Sequence, residues 1–289
     1  MCWIYCSTEI QWESYMCMKH RWPDASDFIT LTPWIHMGFH RLAIQDLSWD
    51  WMQPFCIQHW DQSITWVCNW EIYNVSSLKD EFAEAQRTSS SDCEVLGYLY
   101  LRYGREGMIA RLDGEFAIIL VSEIPDTPTV VYAARDRFGV RPLYIWKWKD
   151  SWTLASELKW LPTTCTTMKQ VPPWHTVRIE SSIKDAKIDV FTHWNCDIEK
   201  LDWSSLAEIK TKIVTSFEQA IQRRLISDRP LACLLSGGLD SSLVCAIAQR
   251  LVSDPLHTYT IWLIWWTDLA KAKIVADHIG SIHHEIIMT

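Results

Sequence analysis

The sequence predicts a two-domain α/β protein, on three observations. Up to about residue 195, short runs of apolar, β-branched and aromatic residues are broken by turns, as in a sheet-rich domain. Beyond that point strand-like apolar runs alternate with helix-like segments, the pattern of a parallel α/β sheet. The chain has 289 residues, 48% of them hydrophobic, which suffices for two cores. The boundary is expected near 195–205, giving domains 1–195 and 196–289.

In the first domain, 116–121 and 130–134 flank the turn-rich 122–129 and predict a β-hairpin. Segments 78–86 and 94–103 are its best helix candidates. In the second, Leu206, Ile209, Ile213, Phe217, Ala220 and Ile221 recur at helical spacing with Lys, Glu and Gln between them, so an amphipathic helix is expected. An apolar run over 231–235, a Ser-Gly-Gly turn, a helix over 241–251, a run over 259–264, a helix over 268–279 and a strand over 285–288 complete the alternation.

Composition excludes several function classes. A net charge of −8 without long basic runs gives no footprint for a phosphate backbone, so no nucleic-acid partner is expected. No apolar stretch approaches the roughly 20 residues of a membrane-spanning helix, so no membrane partner is expected either. The start, Met-Cys-Trp-Ile-Tyr-Cys, lacks the basic and apolar regions of a secretory signal. Ten cysteines without a CxxC pair read as reduced thiols, which makes the cytoplasm the default compartment and leaves no protein-built metal cluster. His283 and His284 read as packing residues, and the Asn74-Val75-Ser76 sequon is discounted on the same grounds.

The segment Ser236-Gly237-Gly238-Leu239-Asp240-Ser241-Ser242 lies between an apolar strand and a helix. Two glycines allow a tight turn that points backbone N–H groups into a concave anion site, and the helix N-terminus adds partial positive charge. Ser236, Ser241 and Ser242 can donate to phosphate oxygens. No Lys-Ser/Thr follows the glycines, so it is not a Walker loop. It resembles the pyrophosphate loop of the ATP pyrophosphatases, which split ATP into AMP and pyrophosphate.

Cys2 follows the initiator Met directly. Removal of Met1 would leave a thiol and a free α-amine on one residue, and an amine with a pKa near 8 can act as the local base. Downstream, in order, stand His20-Arg21-Trp22-Pro23-Asp24, Gly38-Phe39-His40-Arg41-Leu42-Ala43-Ile44, Met52-Gln53-Pro54-Phe55, Asn69-Trp70-Glu71-Ile72-Tyr73-Asn74, Ser91-Asp92-Cys93, Leu112-Asp113-Gly114-Glu115 and the run from Arg135 to Tyr144. Together these resemble the glutaminase domain of the glutamine-dependent asparagine synthetases. The loop at 236–242, Thr258-Tyr259-Thr260-Ile261 and Ala276-Asp277-His278-Ile279-Gly280 are similar to the second domain of the same family.

The resemblance implies an N-terminal-nucleophile αββα sandwich followed by part of an adenine-nucleotide α-hydrolase-like parallel sheet. It implies that Cys2 attacks the glutamine carboxamide to give a γ-glutamyl thioester, with Asn69 and the backbone N–H of Trp70 forming the oxyanion hole. Arg41 would hold the α-carboxylate of glutamine, Glu71 and Asp92 its α-amine, and residues 42–45, with Leu42 and Ile44, the pocket wall. In the second domain Ser236, Gly237, Gly238, Asp240, Ser241 and Ser242 would hold the pyrophosphate of ATP with Mg²⁺ near Asp240, and Leu235 and Ile261 would flank the adenine. Ammonia would convert β-aspartyl-AMP to asparagine. The implied partners are glutamine, aspartate and ATP, and a homodimer is compatible with the resemblance. A related amidotransferase acting on another carboxylate, and a catalytically silent relative, share these modules and stay open. Family members continue past the position of Thr289 with further ATP contacts and the aspartate site, so the chain is expected to lack part of its second active site, which a longer gene product or a second chain would supply.

The sequence departs from that family in one systematic way. There are 19 tryptophans and nine glycines, where glycine alone ordinarily reaches about 7%. Trp3, Trp22, Trp51, Trp70, Trp174 and Trp262 stand where the family has glycine, and Trp146, Trp148, Trp265 and Trp266 are further suspects. Trp194 stands where the family often has a tryptophan of its own. Random substitution would scatter glycines among several residue types, so the expectation is a gene that uses UGA for glycine, written here as tryptophan. Taken literally, Trp3 and Trp70 would crowd the nucleophile and the oxyanion hole.

Overall fold

The computed structural model describes residues 2–9, 16, 19, 24–44, 48, 52–83, 91–148, 151–160, 168–181, 186–192, 205–263 and 269–288, with only the backbone of 148, 160, 186, 262, 263 and 269. The chain divides into two compact units, Met1–Asp197 and Ile198–Thr289.

The first unit runs β1 (Trp3–Ser7), β2 (Ala25–Thr32), β3 (Ile35–Arg41), β4 (Phe55–His59), β5 (Gln62–Ile72), α1 (Val75–Glu81), α2 (Val95–Arg111), β6 (Gly114–Glu123), β7 (Thr129–Arg135), β8 (Tyr144–Trp148), β9 (Ser151–Ala155), β10 (Met168–Gln170), β11 (His175–Ser181) and β12 (Ala186–Thr192). Antiparallel pairing sorts the strands into two six-stranded sheets, β10-β8-β9-β1-β3-β2 and β12-β11-β7-β6-β5-β4. Strand alternation decides what each face covers. Ile4, Cys6, Met37 and Phe39 of the first sheet join Val67, Ile119 and Val131 of the second in one buried core, whereas Trp3 and Tyr5 cluster with Ala155 on the opposite face. Helix α2 packs on the outer face of the second sheet, where the Trp66 indole donates to the Cys93 carbonyl at 3.0 Å.

The hairpin expected over 116–134 is β6–β7, in register from Ala117↔Arg135 to Ser122↔Val130. Both helices differ from expectation in their bounds. Helix α1 begins at Val75, not at 78, because Asn74 fixes the entry: its Oδ1 accepts from the Asp113 N–H at 3.0 Å and its Nδ2 donates to the Arg111 carbonyl at 2.8 Å. Helix α2 runs past 103 to Arg111 although Gly104 interrupts it at φ +66°. Burial of Met108 and Ile109 sustains the last turns against the local glycine signal.

The second unit runs α3 (Leu206–Arg223), β13 (Ala232–Leu234), α4 (Leu239–Leu251), β14 (His257–Leu263), α5 (Leu269–Ile279) and β15 (Ile282–Met288), with a parallel sheet in the order β13-β14-β15. Ser205 caps α3 by accepting the Glu208 N–H at 3.2 Å. Strand β15 starts three residues before the expected 285 because its ladder with β14 begins at His257↔Ile282.

Two backbone sites stand out among the described residues. Only three non-glycine residues have positive φ there, and two are tryptophan: Trp60 at +54° and Trp174 at +59°. Trp60 is the first central residue of the two-residue turn closed by His59↔Gln62, a position that favours glycine in hairpins.

Candidate active site and nucleotide loop

Cys2 immediately precedes β1 and is 5% exposed. Its thiol donates to the Leu42 carbonyl at 3.6 Å, just past the end of β3, and its backbone nitrogen donates to Asn69 Oδ1 at 3.1 Å. Asn69 lies on β5, so the bond joins the two sheets. It also orients the amide: with Oδ1 turned to residue 2, the Nδ2 donor of Asn69 is left for another acceptor. Burial pushes the Cys2 thiol up to about 11, while the positive chain terminus pulls the other way. At neutral pH this thiol is protonated and needs a base.

Asp92 is 3% exposed, and burial pushes its carboxyl up to about 7. The Ile72 N–H at 3.1 Å and the Trp70 side chain donate to it and favour its charged form, and neighbouring Glu71 opposes it. The buried Arg41 ends β3 and sends its guanidinium to the Ser48 carbonyl, and the Ala43 N–H donates to Asp24 at 2.7 Å. Cys2, Leu42 and Asn69 are thus in contact, with Asp92 close enough to act on the thiol through its charge. Ile44 is half-buried and, among the described residues, touches Cys2 through no hydrogen bond.

The expected crowding by tryptophan takes a different form. Trp3 points to the face opposite Cys2, stacking on Tyr5 at 5.9 Å and lying 5.0 Å from His40. Trp70 alternates with Asn69 along β5, so its indole leaves the Asn69 side and meets the Asp92 carboxylate. The indole therefore weighs on the expected amine subsite and not on the nucleophile. Trp22 and Trp51 lie outside the described residues, as does the side chain of Trp262.

Three framework residues carried no role in the sequence reading. Asp24 holds Ala43, Gln53 holds Cys68, and the buried Asp136 accepts the N–H groups of Phe116, Phe138, Val140 and Arg141 at 3.0–3.2 Å. Each acts on backbone far away in sequence or inside a loop, and only the folded chain shows the partner.

In the second unit the loop after β13 is held by its own hydroxyls. Ser236 and Ser241 Oγ atoms are 2.9 Å apart, and Ser241 and Ser242 both donate to the Gly238 carbonyl, at 3.2 and 2.6 Å. Gly237 has φ +77°, and a Cβ there would lie 2.6 Å from the Ala272 nitrogen, so close approach of α5 requires glycine. A concavity of about 400 Å³ beside the loop is lined by Leu234, Leu235, Ser236, Ser241, Tyr259, Thr260 and Ile261. Apolar walls next to a turn of hydroxyls suit a flat base joined to phosphates. Asp240 is exposed in the first turn of α4, where its hard carboxylate oxygen suits Mg²⁺ shared with phosphate and water. His283 bonds Thr258 at 2.9 Å, and His284 stacks on Tyr259 at 4.5 Å. Among the described residues no group of three or more His, Cys, Asp or Glu could hold a metal, and no helix is long and apolar enough to cross a membrane.

Cys2 is thus tied across two antiparallel sheets, its backbone N–H donating to the side-chain oxygen of Asn69. The glutamine amidotransferase domain description matches residues 5–217, and the chain belongs to that family. A second description, asparagine synthase, matches residues 212–289. Asparagine synthetases (glutamine-hydrolyzing) from Bos taurus and Homo sapiens are each 34% identical to it, and that from Gallus gallus is 36% identical, over 96% of this chain and 53% of theirs. The chain spans about half the length of these relatives. Among solved structures, the glutamine phosphoribosylpyrophosphate amidotransferase from B. subtilis has a TM-score of 0.57 at 14% identity, covering 100% of this chain and 91% of that one. The allosteric regulatory enzyme of purine biosynthesis has 0.58 at 13%, covering 99% and 80%. At such identity the likeness shows the fold alone.

Proposed function

We propose that this chain is the glutaminase and ATP-binding part of a glutamine-dependent asparagine synthetase of the cytoplasm. The observation that carries the reading is the Cys2 N to Asn69 Oδ1 bond, which sets the nucleophile beside an oriented amide donor. Removal of Met1 turns that nitrogen into an amine, which takes the thiol proton. The sulfur attacks the glutamine carboxamide carbon, and the oxyanion is held by Asn69 Nδ2 and the residue-70 N–H. Collapse breaks the C–N bond, the proton leaves with ammonia, and water hydrolyses the thioester to glutamate. Arg41 grips the α-carboxylate and Glu71 with Asp92 the α-amine. The 236–242 loop holds the pyrophosphate of ATP, with Leu235 and Ile261 at the base. Mg²⁺, bound at Asp240, would neutralise phosphate charge. Aspartate is activated as β-aspartyl-AMP and aminated to asparagine.

The test is glutamine hydrolysis together with labelling of Cys2 by 6-diazo-5-oxo-L-norleucine. Cys2→Ala should lose about a thousandfold or more in hydrolysis, with no label. A chain purified from the natural host that neither hydrolyses glutamine nor takes up the label overturns the reading.

We also propose that UGA-encoded glycines account for the excess tryptophan. Positive φ at Trp60 and Trp174 supports this, since a side chain there costs about 1 kcal/mol or more. So do the indole N–H groups of Trp34 and Trp146, buried without a hydrogen-bond partner among the described residues. Trp66, whose indole is satisfied, reads as true tryptophan. Peptide masses from the natural host should show glycine at 60, 70 and 174; tryptophan at 70 would sink the proposal.

A further inference from the structure

Gln53 is fully buried, and both ends of its side-chain amide are used on one distant residue. Its Oε1 accepts the Cys68 N–H at 2.6 Å and its Nε2 donates to the Cys68 carbonyl at 3.3 Å. Strand β4 pairs with β5 only from His59↔Gln62 to Phe55↔Trp66, whereas β6 accompanies the other edge of β5 as far as Ile72↔Gly114. Beyond Trp66 the β4-side edge of β5 is therefore held by side chains. With no register shift in the β5–β6 ladder, Cys68, Trp70 and Ile72 present their backbone groups to that same edge. Gln53 takes both groups of Cys68, and Asp92 takes the Ile72 N–H. Trp70, whose N–H is proposed for the oxyanion, lies between the two clamps.

We infer that Gln53 is a positioning residue for glutamine hydrolysis: in place of a strand, its amide fixes the β5 edge so that the residue-70 N–H and the Asn69 side chain meet the oxyanion together. The role rests on the proposed glutaminase reading. Gln53 touches neither Cys2 nor the expected glutamine subsites through any described hydrogen bond, so its effect is on the transition state and not on substrate affinity.

The experiment measures glutamine hydrolysis by the full chain and two variants, with circular dichroism as the folding check. Gln53→Met removes both hydrogen bonds at similar volume; a misplaced donor should lower kcat about 10- to 100-fold, with KM and inhibition by the product glutamate within about threefold. Gln53→Glu keeps the acceptor but can donate to the Cys68 carbonyl only when protonated. Its kcat relative to the unmodified chain should rise as the pH is lowered from about 8 to about 6, which loss of packing alone would not produce. If Gln53→Met does not fold, Gln53→Glu carries the test. Variants with kcat within twofold of an active parent, a loss confined to KM, or a pH-independent Gln53→Glu ratio would overturn the inference alone. A parent that neither hydrolyses glutamine nor takes label at Cys2 overturns it together with the glutaminase reading.

Discussion

The two candidate sites are built in opposite ways. The surroundings of Cys2 are buried and assembled from distant segments: Cys2, Leu42, Asn69 and Asp92 come from four separate stretches of the chain, and the bond from Cys2 to Asn69 joins residues 67 apart. The nucleotide loop is local and open, made from consecutive residues whose hydroxyls bond one another and the loop backbone. The cores follow the same division. One large buried cluster supports the first site, whereas the second rests on two small clusters and leaves Leu234 and Leu239 more than 70% exposed. A dispersed site depends on the whole fold around it, and a local one depends on one turn.

The largest test of that contrast is Asp136→Ala. It strips one buried carboxylate from four backbone N–H groups, and the first unit should lose about 3 kcal/mol, read as a lower urea midpoint with glutamine hydrolysis lost in step. An unchanged midpoint would break the claim that this site depends on remote framework. Next, Gly237→Ala forces a Cβ toward Ala272 at positive φ and should weaken ATP binding about tenfold, leaving the urea midpoint of the first unit alone. Equal damage to both units would erase the distinction.

The smallest effect is on pH dependence. Asp92 titrates at about 7 in the folded chain against about 3.9 unfolded. The folded state therefore holds this proton more tightly, so its contribution is full below about pH 4 and is lost as the pH rises through about 7. Asp92→Asn should flatten that slope and stabilise the chain at pH 8 by an amount on the order of 1 kcal/mol or more. A slope unaltered by the substitution would mean that the carboxyl is not desolvated. The cationic amine of bound glutamine should draw the proton off Asp92, which makes binding release a proton near neutral pH.

Legibility differed between the sites for the same reason. The loop at 236–242 is readable from residue types because glycine, serine and strand-to-helix context are adjacent in the chain. Cys2 was singled out by its place after Met1, whereas the roles expected of Arg41, Asn69, Glu71 and Asp92 came only from resemblance to a family, since nothing in their spacing brings them together. Gln53 stood in a recognised motif without a role, because its partner is a backbone 15 residues away. Trp60 was overlooked among the suspect tryptophans because its signal is a dihedral angle; a turn between two strand-like runs was the available hint.

By itself the sequence determined the αβ alternation of the second unit, the hairpin of the first and the Ser-Gly-Gly turn between strand and helix, since periodicity and turn chemistry act over a few residues. Only the tertiary structure decided which face each tryptophan takes, where α1 and α2 begin and end, and which side chains stand in for a missing strand along β5. Those outcomes depend on burial and on hydrogen bonds between distant segments, which form only when the two sheets close on each other.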